Sequence, residues 1–367
     1  MRQYLSKLPR STEELLQWHE KFISPLTLII GFTIDALIFR EVDLFASNLI
    51  LFAHLCIAAI GIVLFHMIQS GYLRGKLFLT LVPFLPSVIQ FSFGALFSGF
   101  VILYSQSAAY ATSWIFVGLL AIFLVGNERF RKLYTQFAFQ ATIYFAVLIS
   151  FIVFFLPIVF LRIGTEIFLI SEAAAIGIFF VLINAFRFYA PQIVRPARWT
   201  LVKSVGSILL IMNVLYFTNA IPPIPLALKE ASVAHAVTRA GDEYRLQAEP
   251  LLWYQKYLNY NTVFHKAPGE RIFVYTAIFA PTKLSTTVLH EWEFYDPVLE
   301  RWMERNTVSF PIRGGRDGGY RGYTIMQSGE DGAWRVNVRT EDGRLIGRVA
   351  FTVVSVSEKA GTEEVVQ

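Results

Sequence analysis

The strongest constraint in this sequence is a run from residue 77 to residue 127 that contains no charged side chain. Water-soluble domains average about 25% charged residues, so an uncharged run of this length indicates a lipid environment. A membrane-crossing helix needs about 20 mainly apolar residues, and one helix over the whole run would be far too long for a single crossing. The small and polar stretch 105–113 therefore predicts a hairpin between two crossings.

Seven membrane-crossing helices are predicted once that run is divided in two. The apolar stretches that contain them lie at 22–39, 44–73, 77–127, 133–161, 167–186 and 204–228. Pro83 and Pro86 predict a kink in the third helix or a short separate piece before it, because proline disrupts the hydrogen bonds of a helix. Residues 1–21 are polar and charged, which indicates a cytoplasmic N-terminal segment rather than a cleavable signal peptide.

The distribution of Lys and Arg predicts the orientation of the transmembrane domain, residues 22–228. Residues 1–228 contain 15 Lys and Arg, and a seven-helix topology places 13 of them on one side of the membrane. Positively charged segments stay on the cytoplasmic side, so we expect a cytoplasmic N-terminus and an exported domain from residue 229 to residue 367. An eight-helix topology would mix the two sides and is rejected.

The part expected to be exported has a different sequence pattern from the helical part. Apolar and polar residues alternate strictly over 333–339, as they do in a half-buried strand. Asp342-Gly343 then signals a tight hairpin turn. Further strand-like runs lie at 231–238, 271–279, 286–295, 301–310, 319–327 and 349–353. About seven short strands predict an all-β immunoglobulin-like sandwich, with a stiff proline-rich spacer at 221–225 before it and a disordered tail after it.

The hydrophobic core of this sandwich is predicted from strand alternation, because side chains two residues apart point to the same face. The core residues expected on this basis are Trp292, Phe294, Trp334, Val336 and Phe351. His290 shares the strand face of Trp292 and is interpreted as a core histidine with a hydrogen-bond partner.

Several of these motifs together resemble the bacterial domain-of-unknown-function 2914 family. The motifs are His290-Glu291-Trp292, Phe310-Pro311 with the Arg- and Gly-rich stretch after it, Gly332 to Val338, Gly343, and Phe351-Thr352-Val353. The resemblance covers about the last 130 residues. It implies a bacterial envelope protein in which the domain follows a multi-helix membrane region. It implies no activity and transfers no catalytic residue.

The glycine-rich stretch 310–322 is a candidate binding site with Arg313, Arg316, Tyr320 and Arg321. Glycines let successive backbone N–H groups converge on an anion, and arginine forks suit phosphate or carboxylate. The ligand would be a lipid phosphate, a lipopolysaccharide group or a peptidoglycan carboxylate. The alternative is a long hairpin whose glycines only meet the geometry of the turn.

A second candidate is the aromatic stretch that contains Trp253, Tyr254 and Tyr257. Trp and Tyr gather where a membrane meets water, so these side chains are candidates for an interfacial helix on the outer leaflet. Stacking on a sugar ring and packing against the edge of the sandwich are the alternatives.

A third candidate is an intramembrane polar cluster of Asp35, Arg162, Glu166 and Glu172, which the predicted topology places near the outer leaflet. Ionisable groups at such depth are costly and usually face protein or water. They would line a vestibule that binds a headgroup or moves protons; alternatively, Arg162 pairs with Asp35 or Glu172 and locks the bundle. His54 is interpreted separately, as a hydrogen-bonded residue between helices.

Several classes of site find no support in the sequence. The chain has a single cysteine, Cys56, and lacks paired-cysteine metal motifs, catalytic elbows and phosphate loops. We therefore expect no metal, no cofactor, no catalytic residue and no nucleic-acid partner.

The leading hypothesis is a bacterial inner-membrane protein, embedded in the lipid bilayer, whose exported domain binds an envelope glycan, an anionic lipid or a periplasmic protein without catalysis. The alternatives are a transporter or lipid-handling protein that uses the outer-leaflet carboxylates, and a membrane-embedded enzyme acting on lipid-linked substrates.

Overall fold

The computed structural model describes most of the chain. The described ranges are 24–39, 44–107, 110–223, 225–241, 243–251, 262–280, 284–314 and 319–367. The segment 1–21, which the sequence places in the cytoplasm, lies outside them.

Seven helices of 15 residues or more precede a β-rich part in the described chain. The helices, with a short one as the third, are α1 Ser24–Ile38, α2 Leu44–Gln69, α3 Lys76–Leu81, α4 Leu85–Ser107, α5 Tyr110–Arg129, α6 Phe137–Phe160, α7 Thr165–Tyr189 and α8 Pro191–Phe217. Five of these helices, namely α2, α4, α6, α7 and α8, are long and apolar enough to cross a membrane, whereas α1 and α5 contain shorter apolar stretches.

The uncharged run divides as the sequence predicts. Helix α4 ends at Ser107 and α5 begins at Tyr110, inside the polar stretch expected to form the hairpin. The separate short helix α3 precedes α4, and Pro83 lies between them, which agrees with the expected proline break.

The last helix differs from its predicted span of 204–228. Helix α8 begins at Pro191 and ends at Phe217, so its first turns include the basic residues Arg195 and Arg198. The apolar run that follows it cannot remain helical, because it contains three prolines. Residues 220–223, 225 and 226 are buried, so the prolines predicted to form a stiff spacer are packed against other residues.

The chain divides into two compact units. The first comprises residues 1–105, 117–152 and 171–212, and the second comprises 106–116, 153–170 and 213–367. Parts of five helices, from the end of α4 to the end of α8, therefore belong to the same unit as the β-rich part.

Eleven strands form three sheets in the described β-rich part. The strands are β1 Ala227–Ala234, β2 Ala236–Ala240, β3 Glu243–Ala248, β4 Thr262–Lys266, β5 Ile272–Phe279, β6 Ser285–Asp296, β7 Arg301–Arg313, β8 Tyr320–Met326, β9 Gly332–Thr340, β10 Leu345–Ser355 and β11 Glu363–Val366. The strand orders are β1-β5-β8, β4-β10-β9-β6-β7 and β11-β3-β2. All neighbouring strands are antiparallel except β4 and β10.

Strand alternation predicted the longer strands but not the shorter ones. Strands β5 to β10 lie where the sequence places them, whereas β3, β4 and β11 are not anticipated. The sequence predicts a disordered tail, but Glu363–Val366 form β11, which pairs with β3. This pairing adds an edge to the third sheet, and the mixed composition of so short a segment carries no periodic signal.

The three-stranded sheet with β5 at its centre and the five-stranded sheet share one hydrophobic core. Trp292, Trp334 and Phe351 from the larger sheet pack in one cluster with Ile272 and Val274 from β5, and all are almost completely buried. Phe294 and Val336 belong to the same cluster, so the predicted core residues are confirmed.

A buried chain of hydrogen bonds joins the two sheets through His290. Its Nε2 lies 3.0 Å from Thr276 Oγ1 on β5, and its Nδ1 lies 2.9 Å from Thr324 Oγ1 on β8. The Trp292 indole N–H donates to the same Thr324 hydroxyl at 3.1 Å. His290 is fully buried, and this burial lowers its pKa to about 4. The interpretation of His290 as a partnered core histidine is therefore confirmed.

A buried arginine fixes the β9–β10 turn to the last helix within the second unit. The guanidinium carbon of Arg344 lies 3.4 Å from the centroid of the Tyr216 ring, and its Nε lies 3.2 Å from Asp342 Oδ2. The Tyr216 ring stacks on Phe168 with centroids 3.7 Å apart. Leu161 also packs against the core that contains Ile346. The helix ends are therefore part of the hydrophobic packing of the β-rich part.

We predict that acid destabilises the β-rich part through His290. Its pKa is about 4 in the folded state and about 6.5 when unfolded, so between these values only the unfolded state gains the proton. The contribution of His290 to the free energy of unfolding is therefore fully present above pH 6.5. It is lost as the pH drops toward 4, by about 3 kcal/mol at most. Thermal unfolding of the full chain in detergent, measured from pH 7 to pH 4.5, should show a shallower loss in His290→Gln than in the wild type. Equal slopes in the two proteins would contradict the prediction.

We also predict that Arg344→Met strongly destabilises the second unit. The change removes the buried guanidinium from the face of the Tyr216 ring, and a desolvated cation–π contact contributes about 2 kcal/mol. The matched control is Arg305→Met, because Arg305 pairs with Glu330 at 3.4 Å but is 38% exposed, and exposed pairs contribute about 0–1 kcal/mol. The unfolding temperature of each full-length variant measures the difference. A drop of equal size in both variants would show that the Tyr216 contact is unimportant.

Candidate functional site

A cavity of about 510 Å³ lies within the first unit, between helices α1, α2, α4 and α5. Its volume falls in the range of small-molecule sites, about 300–1,000 Å³. Polar side chains from all four helices line it: Asp35, His54, Ser87, Gln90, Ser98 and Asn127. Apolar side chains complete the wall, among them Ile34 and Phe91.

Helix α4 supplies more of the lining than any other helix, through one face. Its lining residues recur at helical spacing: Ser87, Gln90, Phe91, Gly94, Ala95 and Ser98. Gly94 is needed for the close approach of α5, because a Cβ at this position would lie 3.0 Å from Asn127 Nδ2. Gly31 on α1 has open space where a side chain would begin, so small residues create the cavity.

One end of the cavity holds a buried polar atom that lacks a hydrogen bond. The carboxyl of Asp35 faces the Ser98 hydroxyl and the His54 imidazole. Among the described residues, the buried His54 Nδ1 has no hydrogen-bond partner, and Ser98 Oγ has none apart from its contact with the Asp35 carboxyl. The His54 ring is held edge-on to Phe91, with centroids 5.7 Å apart. Buried polar atoms normally have partners, so this end of the cavity is suited to a polar group or water.

The opposite end of the cavity is closed by a reciprocal pair of amides. Gln90 Nε2 donates to the Asn127 backbone carbonyl at 3.2 Å, and Asn127 Nδ2 donates to the Gln90 carbonyl at 3.1 Å. These contacts satisfy both amide nitrogens and join α4 to α5.

A chain of buried polar side chains continues from this amide pair to the end of α2. The Tyr134 hydroxyl donates to Asn127 Oδ1, and Gln140 Nε2 donates to the Tyr134 carbonyl. His66 Nε2 lies 2.9 Å from Gln140 Oε1, and its Nδ1 lies 3.2 Å from Gln69 Oε1. The cavity is therefore one end of a continuous polar path through the first unit.

The predicted intramembrane cluster is only partly reproduced. Asp35 lines the cavity, where its polar neighbours are His54 and Ser98. Glu172 is buried on α7 in the first unit, whereas Arg162 and Glu166 belong to the second unit and are exposed. The residues missed by the sequence interpretation are Gln90, Ser98 and Asn127. Their signal was present, since they are polar residues at helical spacing inside an uncharged run.

The glycine-rich candidate site has a different architecture from the hairpin that was its alternative. Strand β7 pairs with β6 and β8 pairs with β5, so the connection crosses from one sheet to the other. Gly319 has φ +84°, and a Cβ there would lie 2.9 Å from the Ile278 carbonyl carbon. The close approach to β5 explains why this position is glycine.

The four residues predicted for that site do not all share one surface. Arg313 is exposed at the end of β7, and Tyr320 packs against a hydrophobic core cluster. Arg321 follows directly on β8 and so points to the other face of the sheet; its carbonyl accepts a 3.4 Å hydrogen bond from the Tyr244 hydroxyl. Arg316 lies outside the described residues, as do Trp253, Tyr254 and Tyr257 of the aromatic stretch.

The outer face of the five-stranded sheet carries a network of charged side chains. Glu293 pairs with Arg335, and Glu291 pairs with Arg339 at 2.6 Å. Asn337 Nδ2 donates to both carboxylates. Burial acts to raise the pKa of Glu293, but the hydrogen bond and charge of Arg335 outweigh it and hold this pKa below its usual value. The ionic partners in this network already satisfy each other.

Aromatic side chains border this network at the sheet edge. The Arg335 guanidinium carbon lies 4.1 Å from the centroid of the Trp302 ring on β7, and Tyr295 meets the same indole edge to face at 5.4 Å. Trp302 and Tyr295 are both partly exposed. This corner of the sheet therefore offers an aromatic surface beside an arginine.

Comparison with known proteins gives a match to a family model and weak similarity to solved structures. No curated protein matches the chain. An immunoglobulin-like protein from Pseudomonas aeruginosa is 14% identical over 35% of this chain and 96% of its own, with a TM-score of 0.21. An alkylpurine DNA glycosylase from Pseudomonas fluorescens, bound to DNA with an abasic site analog, is 9% identical over 84% of this chain and 98% of its own, with a TM-score of 0.20. Similarity at this level carries no inference.

Residues 285–353, which lie in the C-terminal region of the chain and include β6 and β9, match the model of the family described as "Protein of unknown function (DUF2914)".

Proposed function

We propose that the chain is a multi-pass protein of the bacterial inner membrane with seven spans and a cytoplasmic N-terminus. Five helices long and apolar enough to cross a membrane, with two shorter apolar helices, support this arrangement. The one-sided distribution of Lys and Arg supports the orientation. Residues 229–367 are then a periplasmic domain, and we propose that its two sheets with a shared core form an immunoglobulin-like β-sandwich.

We infer that the helical part binds an amphiphilic molecule, as a lipid-handling protein or transporter does. The observation that carries this proposal is the cavity, with the Asp35 carboxyl, the Ser98 hydroxyl and the unbonded His54 Nδ1 at one end. A buried polar group without a partner costs about 1–3 kcal/mol. A polar headgroup would satisfy these atoms, so binding recovers that energy.

The apolar wall of the cavity suits the hydrocarbon part of the same molecule. Ile34 and Phe91 line the cavity and are 51% and 69% exposed. In a membrane such side chains face lipid tails or another helix. An acyl chain that passes between them would leave the headgroup beside Asp35. Binding without catalysis is the simplest role for this arrangement.

A second candidate function is recognition of an envelope glycan or protein by the exported domain. The aromatic corner formed by Trp302, Tyr295 and Arg335 favours it, because exposed Trp and Tyr beside Arg are enriched where proteins bind partners. The paired charges next to this corner hold its side chains in place. The glycine-rich connection between β7 and β8 remains a further candidate binding site, through Arg313 and the neighbouring arginines.

The cavity proposal predicts that a bulky residue at Gly31 blocks labelling by a membrane probe. Gly31 lines the cavity and has open space for a side chain, so Gly31→Leu fills the site without a clash. The measurement is photolabelling of the full-length protein in lipid nanodiscs by hexadecanol that carries a diazirine. Wild-type protein should be labelled on α1, α2 and α4, and Gly31→Leu should reduce this labelling at least fivefold.

The matched control is Gly177→Leu, because Gly177 is also a helical glycine with open space but does not line the cavity. This variant should be labelled as strongly as the wild type. Labelling of α1, α2 and α4 that persists in Gly31→Leu would refute the cavity as the binding site.

The second candidate predicts that Trp302→Ala weakens binding to the envelope. Co-sedimentation of the full-length protein with purified peptidoglycan sacculi tests it, and the bound fraction should fall at least fivefold. Val298→Ala supplies the control, because Val298 is 87% exposed in the β6–β7 turn and makes no part of the aromatic corner. Equal sedimentation of both variants and the wild type would remove this candidate for peptidoglycan.

A further inference from the structure

We propose that the cavity of the first unit selects amphiphiles with an amine headgroup over those with a phosphate headgroup. This inference rests on the proposed function, since it names the chemical class of ligand for the same site. It follows from the charges, the free hydrogen-bonding atoms and the shape of the cavity.

The ionisable groups at the cavity carry no fixed positive charge. Among the described residues that line it, Asp35 and His54 are ionisable, and neither Lys nor Arg is present. Phosphate sites in proteins use arginine, lysine or a cluster of backbone N–H groups, and this lining consists of helix side chains. A phosphate headgroup would therefore face the Asp35 carboxylate without a cation to offset the repulsion.

The free hydrogen-bonding atoms at this end suit a donor. Asp35 offers a carboxylate, Ser98 Oγ carries lone pairs, and His54 Nδ1 is buried without a partner in the described part of the chain. A protonated amine has three N–H donors and no acceptor, so it can satisfy all three groups at once. A neutral alcohol has a single donor and can satisfy only one or two of them.

The position of these atoms fixes the orientation of the ligand. The amide nitrogens of Gln90 and Asn127 are engaged with each other's carbonyls, so the free polar atoms concentrate beside Asp35. The His54 ring is packed against Phe91, and its imidazole lies within electrostatic range of the Asp35 carboxyl. The amine therefore lies at the Asp35 end, and the alkyl chain leaves past Ile34 and Phe91.

A competition experiment tests this selectivity. The full-length protein in phosphatidylcholine nanodiscs is labelled with the diazirine-bearing hexadecanol in the presence of dodecylamine, dodecanol or dodecyl phosphate. Concentrations are corrected for partition into empty nanodiscs. Dodecylamine should reach half-maximal displacement at a concentration at least tenfold lower than dodecyl phosphate, with dodecanol between them.

Two substitutions assign the selectivity to one carboxylate. Asp35→Asn should bring the amine and the phosphate within threefold of each other, while Asp35→Glu should keep the preference for the amine. Glu172→Gln is the control, because Glu172 is a buried carboxylate that does not line the cavity, and it should leave the ratio unchanged.

The outcomes separate this inference from the proposed function. Equal displacement by amine and phosphate in the wild type, or an amine preference that survives in Asp35→Asn, overturns the selectivity but leaves the cavity as a binding site if Gly31→Leu still blocks labelling. Absence of labelling at the cavity in the wild type overturns both.

Discussion

The helical part of this protein depends on the requirement that a polar group buried among apolar helices finds a partner. Gln90, Asn127, Tyr134, Gln140 and His66 meet it by bonding to one another across helices. The Gln90–Asn127 and His66–Gln140 links join segments far apart in the chain, so they fix which helices are neighbours. At the other end of the cavity, the buried His54 Nδ1 has no hydrogen-bond partner among the described residues.

The β-rich part follows the same rule. His290 connects two sheets through threonines on β5 and β8, and all three side chains are buried. Arg344 is buried as well, and it is satisfied by Asp342 and by the ring of Tyr216. These few polar contacts give direction to a core that otherwise consists of non-directional apolar packing. They also make the β-rich part sensitive to acid and to single substitutions.

Prediction from the sequence succeeded where apolar–polar alternation or a helix-breaking proline dominates. Strict alternation located β9 and its core residues Trp334 and Val336, and Pro83 separated α3 from α4. It failed where tertiary packing decides. The sequence does not predict that α8 begins at Pro191, because Arg195 and Arg198 interrupt the apolar run that indicates a membrane-crossing helix. Strand β11 exists only because β3 offers an edge for it.

The sequence by itself determined that the chain has a long apolar helical part and a β-rich part with a tryptophan core, because periodicity and charge content depend on local solvent alone. It also singled out Asp35 as an unusual charge. Only the tertiary structure decided that Asp35 meets His54 and Ser98 at a cavity, because those neighbours come from different helices. The role of Gly31 and Gly94 also depends on the tertiary structure. They leave space beside other helices, and no sequence pattern predicts that space.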